Sequence, residues 1–328
     1  MLRILNIEPQ DYSDAARRVL QGLGELVEEP LGRDQLPAGL PGFQVLITRL
    51  GHKIDGEVLR AGRDLRCVVS ATTGLDHIDL EAAADLGIKV LSLRGEWEFL
   101  ETVTATAEHT WGLLLALVRR LPAAFDSVRR GEWDRDAFKG RELLDKTLGC
   151  VGLGRLGRRV AAYGQAFGMK VAAYDPDPIK WVEGVSRAAS LEELLPQCQV
   201  LSLHPPLNPH TVGMIGAAQL ALLPPGAWLI NTARGPLVDE DALLAALESG
   251  RLGGAALDVL AHEKGKTPPP SPLLDYARTN DNLIITPHLA GATQESMAKT
   301  ELFMAGKLAA WLTAHGLVEQ SEGDNHVG

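Results

Sequence analysis

A glycine turn set between an apolar run and a helical stripe constrains this chain more than any other feature. Gly152-Leu153-Gly154-Arg155-Leu156-Gly157 follows the run TLGCV. It precedes Leu156, Val160, Tyr163 and Phe167, whose spacing is that of one helix face. In a strand, turn and helix of this kind, one glycine makes the tight turn and the second lets the backbone approach a pyrophosphate. The third lets the helix pack on the strand. The backbone amides of Arg155 and Leu156 then face an anion from the positive end of the helix. Asp175 lies 21 residues beyond Gly154, at the end of KVAAYD. A carboxylate there accepts hydrogen bonds from both ribose hydroxyls and repels a 2′-phosphate, and Asp177 adds to that repulsion. No Arg follows directly, so the pattern favours NAD over NADP. A plainer use of Asp175 is a local turn with Pro176.

The rest of the chain repeats the same alternation. LRILNI (2–7), VLIT (45–48), CVVSAT (67–72) and KVLSL (89–93) are separated by helix-period segments and form one unit over the first hundred or so residues. The alternation restarts at TLGCVGLG and continues through KVAAYD, QVLSLH, AWLINTA, GAALDVL and LIIT. These six strand candidates suffice for a complete dinucleotide-binding sheet. Between the two units, TATAEHTWGLLLALVRRL (104–121) is apolar on almost every face. It reads equally as a core helix between domains or as a subunit interface. Asp239 can cap the helix DEDALLAALESG, and Gly250 can end it. KGKTPPPSP (264–272) is a proline-rich loop, a last helix runs from after Gly291 to about Thr313, and the tail SEGDNHVG is polar and expected to fray.

Composition narrows the function classes. The formal net charge is −10, which disfavours phosphate backbones and anionic lipids as partners. Cys67, Cys150 and Cys198 stand apart in apolar runs, as small buried hydrophobes in a reducing compartment rather than disulfides or zinc ligands. No metal site is expected. The N-terminal segment lacks the long apolar region of a signal peptide, and LLLALV is far short of the ~20 residues that span a bilayer. The expectation is a cytoplasmic, soluble protein.

Three titratable residues each follow a predicted strand, where ligand-facing loops of an open α/β sheet gather: Arg234 in NTARGPLVDEDAL, Glu263 in LDVLAHEKG and His288 in IITPHLAGAT. Singly they read as a surface ion pair, a solvated acid and a loop histidine. Together they form a working set. An Arg can grip a carboxylate with two parallel hydrogen bonds, a His can move a proton, and a Glu can orient that His and raise its pKa.

The ordered blocks TTGLDHIDL, ATAEHTWGLLLAL, RRGEWDR, LLDKTLGCVGLGRLG, LSLHPPLNPHTVGMI, NTARGPLVDEDAL, GAALDV and TPHLAGAT span roughly residues 65 to 310. Through them the chain resembles the D-isomer-specific 2-hydroxyacid dehydrogenases, the family of D-3-phosphoglycerate dehydrogenase and glyoxylate/hydroxypyruvate reductases. That resemblance implies two Rossmann-like, doubly wound parallel-sheet α/β domains with the active site in the cleft between them. A discontinuous, flavodoxin-like substrate domain (1–100 and 293–328) would accompany an NAD-binding domain (101–292). The cofactor positions carried over are Thr73, Arg155, Leu156, Asp175, Pro205, Thr232, Ala233, Arg234, Asp258, His288 and Gly291, beside the turn glycines Gly152, Gly154 and Gly157. Asp258 would hold the nicotinamide carboxamide. The amides of Thr73 and Gly74 would bind the substrate carboxylate.

By the same resemblance Arg234, Glu263 and His288 are catalytic, and the protein is a homodimer with the helix after Thr104 at the interface. The reaction implied is hydride transfer between NAD(H) and C2 of a small D-2-hydroxy acid or 2-keto acid. An NADH-sensing, non-enzymatic corepressor-like scaffold on the same fold is the alternative. Two departures stand out. Leu260-Ala261-His262-Glu263-Lys264 replaces the family's Phe-Glu-x-Glu-Pro, leaving Lys264 without the restraint of a proline and His262 as a rival proton carrier. SLRGEWEFLETVTATAEH (92–109) replaces an Asn-x-Pro loop. Arg94 within it could read a second anionic substrate group or form a domain-linker salt bridge.

Overall fold

Short runs of β-branched and aliphatic residues, each bounded by turn residues, become strands that are buried on both faces. Such runs suit parallel sheets covered by helices. A computed structural model describes residues 1–178, 181–263 and 268–318. Most of the proline-rich loop's first half, Lys264 included, and the polar tail lie outside the described residues.

The chain divides into two compact units. One comprises Met1–Leu100 and the C-terminal helix Gln294–Ala314. Its sheet contains β1 (Arg3–Asn6), β2 (Glu25–Glu28), β3 (Val45–Thr48), β4 (Cys67–Ser70) and β5 (Lys89–Leu91), all parallel in the order β2-β1-β3-β4-β5. This is the flavodoxin-like order. Every residue of β3 and β4 is buried. Strand β2 was not anticipated. Its sequence ELVE is half-exposed at the sheet edge, so it lacks the apolar run that marked the others. The helices start where side chains can satisfy free amides. Ser13, Asp55 and Asp79 each accept a hydrogen bond from the first turn of the helix that follows. The C-terminal helix returns to this unit and packs on the helix Asp14–Leu23, where buried Glu301 accepts the amide of Ser13 at 2.7 Å and pairs with Arg49.

The second unit comprises Glu101–Glu263 and residues 268–293. Its strands are β6 (Thr147–Val151), β7 (Lys170–Tyr174), β8 (Ser186–Arg187), β9 (Val200–Leu203), β10 (Ala227–Asn231), β11 (Leu252–Leu257) and β12 (Leu283–Ile285). They run parallel in the order β12-β11-β10-β9-β6-β7-β8. The sequence order reverses between β6 and β9. A doubly wound sheet opens a ligand-binding crevice at such a point, beyond the carboxyl ends of the strands. The two exposed residues of β8 carry no apolar signal, so the sequence marks six strands where the described residues form seven.

The long apolar stretch resolves into two helices. Ala105–Val118 buries Ala107, Thr110, Trp111, Leu113, Leu114, Leu117 and Val118 within its own unit, packing on β10, β11 and the helix Arg155–Ala166. Arg120 then takes a left-handed conformation (φ 53°), and Pro122 opens the helix Leu121–Arg129. That packing accounts for the burial of the first helix within its own unit. The exposed apolar residues Leu121, Phe125, Val128 and Trp133 lie on the second helix and just after it.

Candidate active site

The turn after β6 is built by sterics. Gly152 has φ 86°, and a Cβ there would meet the backbone of His204 and Pro205 at 2.9 Å. A Cβ on Gly157 would lie 2.0 Å from the carbonyl oxygen of Gly152. A Cβ on Gly154, by contrast, would meet no protein atom within 4 Å, leaving open space in front of the helix start. The residues present thus fit a dinucleotide: two glycines close the turn, and the middle one leaves room for a pyrophosphate. Asp175 follows β7 and accepts the amide of Leu153 at 2.6 Å and that of Asp177 at 3.0 Å. It holds the glycine turn from the side and also makes the local turn that was the plainer reading. The Arg155 guanidinium donates to the carbonyl of Val103 at 2.6 Å. Burial pushes its pKa below the usual arginine value.

Behind this turn stands His204, which follows β9 and precedes the buried Pro205. Its Nε2 lies 2.9 Å from Ser202 Oγ, and its Nδ1 has no hydrogen-bond partner among the described residues. Burial pushes the imidazole down to about 4, so it is neutral at ordinary pH.

The loop after β10 carries Thr232, Ala233 and Arg234. Asn231, a residue not singled out from the sequence, shapes it. Its amide donates to the carbonyl of Arg234 at 2.9 Å, and its oxygen accepts the amide of Ala233 at 3.0 Å. The Thr110 hydroxyl donates to the carbonyl of Thr106 at 2.7 Å, so the Thr232 hydroxyl, 2.7 Å away, donates to Thr110. Gly235 then presses against the loop after β11. A Cβ there would lie 2.0 Å from the carbonyl carbon of Leu260, so a glycine is required for that approach. This contact sets the Arg234 turn beside the segment that bears Glu263.

Glu263 and His288 come from different loops and meet. His288 Nδ1 lies 2.6 Å from Glu263 Oε2, and both side chains are about one-third exposed. Glu263 also accepts the amide of Leu260. A second acid, Glu240, steadies the loop by accepting the amide of Ala261 at 2.6 Å and the hydroxyl of Ser271 at 2.7 Å. His262 is exposed, with φ 62°, and Glu263 bonds His288 rather than it.

Asp258 follows β11. Its side chain is fully covered. Oδ1 accepts the hydroxyl of Thr286 at 2.6 Å and the amide of Leu289 at 2.9 Å, and Oδ2 accepts the amide of Ala290 at 2.8 Å. Its carbonyl accepts the amide of His288 at 2.8 Å. A carboxylate so placed is a buried post of the turn that carries His288. Burial opposes its charged form. The hydrogen bonds from His109, Thr286, Ala290 and Leu289 more than offset that and hold its carboxyl below the ordinary value.

Thr73, Gly74 and Arg94 belong to the other unit. Thr72 donates to the carbonyl of Gly74 at 2.7 Å, shaping the turn after β4, and its own carbonyl accepts the amide of Leu93 at 3.0 Å. The segment bearing Arg94 is thereby tied to the Thr73–Gly74 turn. Lys307 also holds this segment, donating to the carbonyl of Ser92 at 2.8 Å and pairing with Glu96, and Phe99 stacks on Phe303 at 3.9 Å. Arg94 itself is exposed, and it forms no ion pair among the described residues. The linker ion pairs belong to Glu101 instead, with Arg158 and Arg159.

Residues 111–290 match the model of the family described as D-isomer specific 2-hydroxyacid dehydrogenase, NAD binding domain. The chain belongs to that family. It is 38% identical over 312 residues to the D-3-phosphoglycerate dehydrogenase of Methanocaldococcus jannaschii, covering 94% of this chain and 57% of that protein. The chain spans about half the length of the D-3-phosphoglycerate dehydrogenases it matches. A Thermotoga maritima hydroxypyruvate reductase is 34% identical over 290 residues, covering 87% of this chain and 90% of that one. Among solved structures, the Aquifex aeolicus D-lactate dehydrogenase complexed with NAD and lactic acid superposes with a TM-score of 0.83. The two share 31% identity and cover 98% of each other. The cofactor of this dehydrogenase-family chain is accordingly NAD, and the glycine turn lies within the matched domain. No helix among the described residues is long and apolar enough to cross a membrane.

Proposed function

We propose that this 2-hydroxyacid dehydrogenase homologue is an NAD-dependent oxidoreductase that interconverts a small D-2-hydroxy acid and its 2-keto acid. The observation that carries the reading is the His288–Glu263 pair at 2.6 Å, beside the Arg234 turn and in the same unit as the glycine turn. Because Glu263 engages Nδ1, Nε2 of His288 is the nitrogen left for substrate. Glu263 fixes that tautomer. Arg234 grips the substrate carboxylate and polarises the keto oxygen. Bound NADH supplies the hydride. His288 gives its Nε2 proton to the oxygen of the forming alcohol, and in the oxidative direction it takes that proton back.

The glycine turn, Asp175, Pro205, Thr232 and Ala233 would seat the dinucleotide. Asp258 and Gly291 would support the His288 turn. The unit built on residues 1–100 and the last helix would bind substrate: the amides of Thr73 and Gly74 hold its carboxylate, and Arg94, tied to the same turn, holds a second anionic group such as a phosphate. The exposed Leu121, Phe125, Val128 and Trp133 favour a homodimer, with the apolar contact on the helix Leu121–Arg129 rather than on Ala105–Val118. Burial pushes the thiols of Cys67, Cys150 and Cys198 up to about 12, which fits free thiols in the cytoplasm.

The test is turnover. The protein is incubated with NADH and a panel of glyoxylate, hydroxypyruvate and phosphohydroxypyruvate, and absorbance of NADH is followed. The expected result is oxidation with at least one of them, with the phosphorylated acid preferred if Arg94 reads a second anion. NADH binding with no turnover on any acid would point to the scaffold instead.

A further inference from the structure

His109 takes no part in the scheme above, yet it faces the post that holds the catalytic turn. It projects from the helix Ala105–Val118 with its Nε2 3.1 Å from Thr286 Oγ1 and 3.4 Å from Asp258 Oδ1. Thr286 spends its hydroxyl hydrogen on Asp258 Oδ1, so its oxygen accepts and His109 Nε2–H donates. The chain of donors thus runs His109 to Thr286 to Asp258. Asp258 in turn receives the amides of His288, Leu289 and Ala290 through its carbonyl and both carboxylate oxygens. The residue so held, His288, has φ 54°, a left-handed conformation that is uncommon for a non-glycine residue.

We infer that His109 is a positioning residue for His288, acting through Thr286 and Asp258 on the turn 286–290. This rests on the reading of His288 as the proton carrier. A covered carboxylate is stable only while its hydrogen bonds are complete. Removing the outermost donor weakens the hold of the carboxylate on the amides of Leu289 and Ala290, and the turn that carries His288 then loses its alignment with substrate while the glycine turn is left as it was.

The experiment compares His109→Phe, His109→Gln and, as an independent break in the same chain, Thr286→Val. Two readouts are taken: steady-state kinetics with NADH and the best acid of the panel, and hydrogen exchange followed by mass spectrometry. His109→Phe and Thr286→Val should lower kcat at least about 10-fold, while the NADH dissociation constant stays within about 2-fold, because misalignment costs rate rather than coenzyme binding. Exchange in the peptide covering 284–292 should quicken about 10-fold, and that of 150–158 should not change. His109→Gln keeps an N–H donor at similar reach and should restore both readouts to within about 3-fold. Wild-type kcat and unchanged exchange at 284–292 overturn the proposal, as does exchange that quickens uniformly along the chain. If the wild-type protein turns over no acid, the reading of His288 fails. The exchange data then decide alone whether His109 governs the turn.

Discussion

The turn after β6 and the turn after β12 both hinge on a residue with positive φ, but they are held in opposite ways. Gly152 (φ 86°) is held by exclusion: the backbone of His204 and Pro205 occupies the space where a side chain would go. His288 (φ 54°) is held by attraction: a buried carboxylate gathers the amides of its neighbours. The first device needs only short-range backbone geometry and is rigid by default. The second costs a covered charge and a conformation that favours glycine or asparagine. In return it puts an imidazole, rather than a hydrogen, at the apex. A surface that binds a coenzyme can be built from glycine, whereas one that moves a proton cannot.

That contrast is broken most severely at His288. His288→Asn suits the test, because asparagine tolerates the left-handed region and so separates chemistry from backbone strain. Turnover should fall at least ~100-fold, the usual loss on removing a general acid–base group. NADH binding, read by fluorescence titration, should stay within about 3-fold. Full activity in this variant removes His288 from the mechanism. A parallel loss of NADH affinity would show that the two turns are not separable.

The reverse break is made at the glycines, where two positions of one motif should behave differently. Gly157→Ala places a methyl 2.0 Å from the Gly152 carbonyl and should cost roughly 2 kcal/mol of stability together with coenzyme affinity. Gly154→Ala meets open space, so its unfolding midpoint should match that of the wild type while NADH binding weakens. Equal melting losses in the two variants would mean that the middle glycine serves the fold rather than a ligand. Thermal melts with and without NADH distinguish these outcomes.

The same contrast explains what could be read from the sequence. The glycine spacing, the Asp239 cap and the left-handed Gly250 (φ 70°) that ends its helix are visible in a string of letters, although the His204 and Pro205 backbone that excludes a side chain at Gly152 is not. The strand β2, with its edge sequence ELVE, and the two-residue β8 leave almost no pattern because neither is buried on two faces. His109 and Thr286 stand 177 residues apart, so no periodicity links them. Asp258 could be picked out as an acid after a strand. That its carboxylate faces inward, toward amides not yet placed beside it, follows only from how β11 and β12 pair.

The finest test of the contrast uses acid, since the glycine turn leans on a histidine of its own. His204 backs Gly152 and Gly157 and is neutral in the folded protein, its pKa pushed by burial from 6.5 down to about 4. The unfolded chain therefore binds a proton at His204 below about pH 6.5, whereas the folded chain does not until about pH 4. Stability falls with pH through that window and is unaffected by His204 above it. Between pH 7 and 5.5 the loss from this one group is about 1 kcal/mol. His204→Gln keeps a side-chain amide for Ser202 and has no proton to gain, so its urea midpoint should decline less steeply over the same interval. Parallel slopes for the two proteins would mean that the imidazole titrates normally and that the space behind the glycine turn is open to water. A flatter slope in the variant, with the exchange of residues 284–292 unchanged by acid, would show that protonation loosens the turn built by exclusion before the one built by attraction.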